Sequence, residues 1–155
     1  MKTIEDYYIE TANLMAIAVY PFNPAGVAEL NQQVDQLPHS GVYLGYTPFK
    51  RGVIAREQGS DKVWIEYQNL SVFLLTRPMS QEPDAINEAQ KRLFEAANMF
   101  AYHFGKSQAF LAYDNGIAFS PAFAFVPRTY DASVCQMELT FSVTTDPDTA
   151  NCFEA

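Results

Sequence analysis

The sequence predicts an α+β fold: an antiparallel sheet with a long central helix and N-terminal helices packed on one face. Three observations point there. Apolar residues recur at three- and four-residue spacing through residues 81–104, the pattern of an amphipathic helix. Ahead of it stand two runs, residues 62–67 (KVWIEY) and 70–76 (LSVFLLT), rich in the β-branched and aromatic residues that suit a pleated surface. Behind it, residues 133–144 alternate apolar with polar, as a strand with one buried and one wet face does. Helices, then strands, then a helix, then strands again make a layered α+β arrangement.

Residues 3–19 read as the first helix, with Thr3 and Asp6 placed as a capping box in which Asp replaces the usual Glu or Gln. Ile4, Tyr7, Tyr8, Ala12, Met15, Ala16 and Val19 form its buried stripe, and Pro21 ends it. Asn23-Pro24 restarts a shorter helix with Val27, Leu30, Val34 and Leu37 on one side, stopped by Pro38. The pattern leaves open whether these two helices are continuous or kinked. Residues 41–46 form a strand, 47–52 a turn-like link holding Lys50 and Arg51, 53–56 a second short strand, and 58–61 a loop. In the long helix Ile86, Ala89, Leu93, Ala96, Ala97, Phe100, Ala101 and Phe104 share a stripe. Glu82, Asp84, Glu88, Lys91, Arg92 and Glu95 take the other side. Ser80 is its N-cap, Pro83 suits the first turn, and Gly105 supplies a left-handed stop. A helix of this length spans roughly 34 Å, the width of a small sheet.

Residues 109–113 are a short apolar run compatible with more than one structure, and Asp114-Asn115-Gly116 is a hairpin signal. Residues 117–126 alternate Ala with Phe, with Pro121 at an edge or bulge. In the last strand Cys135, Met137, Leu139, Phe141 and Val143 point inward, while Gln136, Glu138, Thr140 and Ser142 point to water. Residues 1–145 thus make a single domain, followed by an acidic tail at 146–155.

A chain of 155 residues with 48% apolar and 18% charged content buries a core without disulfides. Its net charge of −8 does not suit gripping phosphates, since nucleic-acid affinity rests mainly on Lys and Arg. After Arg128 no Lys or Arg follows, while Asp131, Glu138, Asp146, Asp148 and Glu154 do. Such a surface repels DNA, as the wall of a channel through which DNA slides should. Cys135 and Cys152 are too few and too far apart for a zinc site, and nothing supports a disulfide between them. The apolar run at 14–19 is far short of a membrane span, and Glu5, Asp6 and Glu10 stand where a signal peptide carries positive charge. The expectation is a chain made in the cytoplasm that uses no membrane.

No catalytic constellation emerges. His39 sits in a Pro-His-Ser-Gly turn, and His103 closes the long helix, where the dipole favours it. Cys135 falls on the buried side of its strand, away from nucleophile duty. The segment around Gly105-Lys106-Ser107 lacks the glycines of a phosphate loop. Neither a metal nor another cofactor is expected, and the chain reads as a non-enzyme. With 12 Phe, 9 Tyr and 1 Trp, its aromatic content suits buried interfaces as well as a Phe-rich core. The interface candidate that the residues themselves offer is the basic cluster Lys50, Arg51 and Arg56, set to meet acidic residues of a neighbouring copy. A different class of function, a small ligand held in an apolar pocket lined by the Ala/Phe alternation, is the alternative.

The order of elements, the helix pattern from Asp84 to Phe104, the Tyr130-Asp131 pair and the final alternating strand at 137–143 together resemble tailed-phage tail-terminator and tail-completion proteins. The resemblance covers residues 41–144 and is one of pattern; residues 21–38 are extra relative to that plan. It implies a structural virion protein, a subunit of a head–tail connector ring, hexameric or dodecameric. Such a ring joins head to tail, contacts other connector and tail proteins, and lets DNA pass without binding it specifically. It places the protein in the neck or tail of the virion, and it implies that the terminal tail, with Asp146, Asp148 and Phe153 as an anchor, lies across the adjacent subunit as a further interface candidate.

Overall fold

The computed structural model describes residues 3–21, 41–47, 50–56, 58–59, 63–106, 121–125 and 134–144. In chain order the elements are α1 (Ile4–Met15), β1 (Ala18–Pro21), β2 (Val42–Tyr46), β3 (Arg51–Arg56), β4 (Val63–Thr76), α2 (Pro83–Gly105), β5 (Ala122–Phe125) and β6 (Cys135–Thr144). The fold is α+β. Both helices lie on one face of a six-stranded sheet ordered β1-β2-β4-β6-β5, with β3 pairing β4 off that path. Every pairing is antiparallel except β1 with β2, which is parallel. The second expected helix, residues 60–61 of the expected loop, the apolar run at 109–113, the hairpin at 114–116 and the tail lie outside the described residues.

α1 starts as its cap dictates. The Thr3 N–H donates to Asp6 Oδ2 at 2.7 Å, and the Asp6 N–H donates to Thr3 Oγ1 at 3.3 Å, which satisfies two orphan donors at once. The helix stops four residues earlier than the periodicity predicts. Ala16 adopts the left-handed conformation (φ 57°) and its N–H turns back to the carbonyls of Ala12 and Asn13. Residues 18–21 then extend and pair with β2, Val19 against Leu44, so Ala16 is exposed and Val19 joins the core from a strand. The β-branched residues Ile17 and Val19 favour this outcome over a longer helix. A buried strand partner decides it.

α2 begins at Pro83, and its N-cap is Glu82 rather than Ser80. A residue before proline is pushed toward extended backbone, and Glu82 has φ −63° and ψ 146°. The Ser80 hydroxyl instead accepts from the Glu82 N–H at 3.3 Å, two residues too early to cap the helix. Gly105 is the last helical residue and Lys106 follows with φ −84°, so no left-handed stop is used. The expected stripe is otherwise in place: Ala89, Leu93, Ala96, Phe100 and Phe104 are buried, with Ile86 and Ala97 packed against them. Arg92 departs from the polar side and reaches inward, its Nη2 donating to Thr76 Oγ1 at 3.5 Å and to the Arg77 carbonyl at 3.4 Å.

Between helices and sheet the core is aromatic. Phe100 stacks on Phe104 at 5.0 Å, Phe104 lies 5.2 Å from Phe141 of β6, and Tyr8 of α1 stacks on Phe104 at 5.7 Å. The two apolar runs before α2 form one 14-residue strand, β4, not two. Its register against β6 shifts between Tyr67 and Leu70, where Asn69 takes a positive φ of 51° and its N–H donates to Ser142 Oγ at 3.1 Å. Asn tolerates that conformation better than most residues, so the strand kinks without breaking. On β6 the five inward residues are buried as predicted. The opposite face is not uniformly wet: Ser142 is exposed, but Gln136 is buried beside Leu75, which is also buried.

Candidate functional site

β4 divides into two parts with different neighbours. Residues 70–76 pair with β6, and Val42–Tyr46 pairs with 72–76 on the other side. Residues 63–68 pair instead with β3, from Val63 opposite Arg56 to Gln68 opposite Arg51. The last rung to β6 is Glu66 opposite Thr144, so among the described residues 63–65 are paired only with β3. The result is a two-stranded ribbon projecting from the helix-backed sheet. Pairing fixes its faces: Ile54 stands opposite Ile65 on the helix side, and Val53 stands opposite Glu66 on the other. Ile54 is 77% exposed and Val53 45%.

The ribbon needs Gly52. A Cβ there would lie 2.2 Å from the Glu66 carbonyl oxygen, inside any allowed contact, so only glycine lets β3 approach β4 this closely. Arg51 and Arg56, both exposed, mark the two ends of β3. The expected basic cluster is therefore split. Arg51 rides on the strand rather than in the expected turn, at the opposite end of β3 from Arg56, while Lys50, just before it, donates to Glu5 Oε1 in the first turn of α1. Lys50 anchors the root of the ribbon to the body.

Around that anchor stand three tyrosines, Tyr8, Tyr46 and Tyr67. Burial pushes the phenol pKa of each upward, and the Glu5 carboxylate adds to the shift in all three. Tyr7 contributes further at Tyr67, and Asp6 at Tyr46. A tyrosine that serves as base or nucleophile needs the opposite shift. These phenols stay neutral and serve packing, Tyr8 lying 5.6 Å from Tyr46.

At the far edge of the sheet, β5 pairs inward with β6, Phe123 against Leu139 and Ala124 against Glu138. Phe123 and Phe125 both meet Phe94 of α2 edge-on at 5.2 Å. Phe123 nevertheless remains 56% exposed and Phe94 40%. Phe94 belongs to neither predicted stripe of α2; an aromatic residue standing outside both was the signal available in the sequence. His103 is half-buried in the last turn of α2, edge-on to Tyr102 at 5.2 Å. Cys135 is buried on the helix side of β6. Among the described residues no group of three His, Cys, Asp or Glu side chains could hold a metal ion, and no helix is long and apolar enough to cross a membrane. Asp146, Asp148 and Phe153 lie outside the described residues, as do His39 and Cys152. No protein-family model matches the chain, and no curated protein matches it.

Proposed function

We propose that the chain is a structural virion protein, one subunit of a phage head–tail neck ring, either a tail terminator or a connector. It joins head to tail and leaves a channel through which DNA passes unbound. The carrying observation is the ribbon: an edge strand with Ile54 77% exposed and Val53 45% exposed, between Arg51 and Arg56. Soluble domains blunt or cover such edges, because a bare apolar strand recruits another chain. Among the described residues no strand covers this one, which suits a subunit whose finished state is an assembly.

The rest of the molecule supports the same reading. α2 and the aromatic core brace the sheet, so the contacts fall to its edges. The elements that carry the family resemblance, α2 and β6, lie in that braced body, and the net charge of −8 suits a channel wall that must not hold DNA. The oligomer is a closed homomeric ring, a hexamer or a dodecamer, seated against other neck and tail proteins. Native mass spectrometry of the full chain, alone and with its virion partners, tests this. A ring of six or twelve copies is expected, and a monomer under every condition would sink it.

A further inference from the structure

Among the described residues β1, β3 and β5 each have one unpaired side, and the two that expose large apolar side chains, β3 and β5, are different. On one side of β4, β3 presents Ile54 and Val53; on the other side, beyond β6, β5 presents Phe123. Neither strand has an outer strand neighbour among the described residues. Two unlike patches on opposite sides of one subunit are what a head-to-tail contact requires, since a two-fold contact uses a single self-complementary patch.

The strand directions agree with such a contact. β3 runs opposite to β4, β6 runs opposite to β4, and β5 runs opposite to β6. β5 therefore points the same way as β4, and β3 the other way. If two copies stand side by side with their helices on the same face and their β4 strands parallel, β5 of one meets β3 of the next antiparallel. The faces match as well. Ile54 shares the helix side with Ile65, and Phe123 shares it with Leu139, so the two exposed apolar side chains fall on one face of the joint. On the opposite face, β3 carries Arg51 opposite Gln68, and Glu138 lies one strand in from the β5 edge, beside Ala124. Ala122 and Ala124 are small and exposed, leaving room for an arginine stem to cross toward that carboxylate.

We infer that β3 of one copy adds to β5 of a second copy as an antiparallel strand, making a sheet continuous from subunit to subunit. The inference rests on the ring reading and names the strands that close the ring. It has a geometric consequence. β3 is centred opposite residues 65–66 of β4, and β5 lies, through β6, level with residues 71–74. Successive copies are thus staggered along the strands by about 20 Å at 3.3 Å per residue. A closed ring accommodates such a stagger by tilting its strands from the ring axis, as barrels do.

The test uses full-length chains carrying Cys152→Ser, with Val53→Cys or Ala55→Cys in one population and Ala124→Cys in the other. Mild oxidation of the mixture should yield a mixed disulfide-linked pair at least tenfold more abundant than the like pairs formed by either population alone, because bonding requires the strands to lie side by side. Ile54→Asp, introduced separately, should weaken self-association tenfold or more while far-ultraviolet circular dichroism stays unchanged. Native-mass rings without preferential mixed pairs would overturn the β3–β5 joint and leave the ring reading standing. A chain that stays monomeric, with or without its virion partners, would overturn both.

Discussion

Gly52→Ala sets two opposing effects against each other on the ribbon. Where space allows, replacing Gly by Ala stabilises a protein by about 0.4–1 kcal/mol, because the unfolded chain has less freedom to lose. At Gly52 the added Cβ would stand 2.2 Å from the Glu66 carbonyl oxygen and 3.1 Å from Tyr67 Cα. Neither atom is the end of a flexible side chain; both belong to the backbone of β4. Carbon–oxygen contacts settle at about 3.3–3.6 Å, so the strands must part by roughly 1 Å. A forced shift of packed backbone costs about 1–3 kcal/mol, and the steric effect wins. The loss should be local, because 51–56 and 63–65 lie outside the helix-backed core. Amide hydrogen exchange followed by mass spectrometry reads it: protection across 51–56 and 63–68 should fall about tenfold, near 1.4 kcal/mol, while α2 and β6 keep theirs. Gly59→Ala is the contrast. It has a left-handed φ of 79° and nothing within 4 Å of its Cβ position, so it should cost about 1–2 kcal/mol of backbone strain with no loss of β3 protection. Unchanged or increased ribbon protection in Gly52→Ala would refute the close-approach argument.

Three further outcomes follow from the body of the molecule. Phe100→Ala removes a fully buried ring stacked on Phe104 and should cost about 3–5 kcal/mol in urea unfolding; a loss below about 1 kcal/mol would show that the aromatic core is not packed as described. Burial first, then Glu5 and Tyr67, hold the Tyr8 phenol well above its ordinary 10.0. The folded state therefore keeps a proton that the unfolded state releases, so this stabilisation is complete below pH 10 and declines as pH rises beyond it. Tyr8→Phe should make that alkaline decline shallower by up to about 1.4 kcal/mol per pH unit, and an identical slope in the variant would contradict the assignment. Lys50→Ala breaks the pair with Glu5, in which the Lys50 side chain is 32% and the Glu5 side chain 19% exposed, and should cost less than about 1 kcal/mol, shrinking further in about 0.5 M salt, roughly three times physiological ionic strength.

What was legible in the sequence was what local periodicity controls. The α2 stripe and the inward side of β6 were readable because each side chain's environment follows from its position in a regular repeat. The Thr3–Asp6 box was readable because both of its hydrogen bonds lie within one turn. The end of α1 was not, because Ala18–Pro21 becomes a strand only when β2, more than twenty residues later, offers a parallel partner. Gln136 defeated the alternation for a similar reason: its neighbour across the strands is the buried Leu75, a pairing no local pattern reveals. Of the interface candidates, the basic cluster was visible as composition. That Lys50 would turn back to Glu5 while Arg51 and Arg56 travelled outward depends on where β3 begins, and Gly52 is the residue that allows that strand to form.

The reading of β4 as two runs erred on the backbone but located the division that matters. Gln68 and Asn69 interrupt the apolar pattern because they occupy the register shift against β6, with Asn69 in the left-handed region. On one side of that shift the strand is buried under α1 and α2, and its side chains answer to the core. On the other side it holds β3, and its partner strand answers to solvent or to another molecule. A shift at this point also keeps faces aligned: Tyr67 and Leu70 both pair with inward residues of β6, Val143 and Phe141, so the ribbon continues the helix side of the sheet in phase. Paired with β6 in unbroken register, the same sequence would turn Tyr67 outward, and with it Ile65 and Ile54, onto the face opposite Phe123. The irregularity in β4 is thus what brings the two exposed apolar edges onto a common face, as the proposed joint between copies requires.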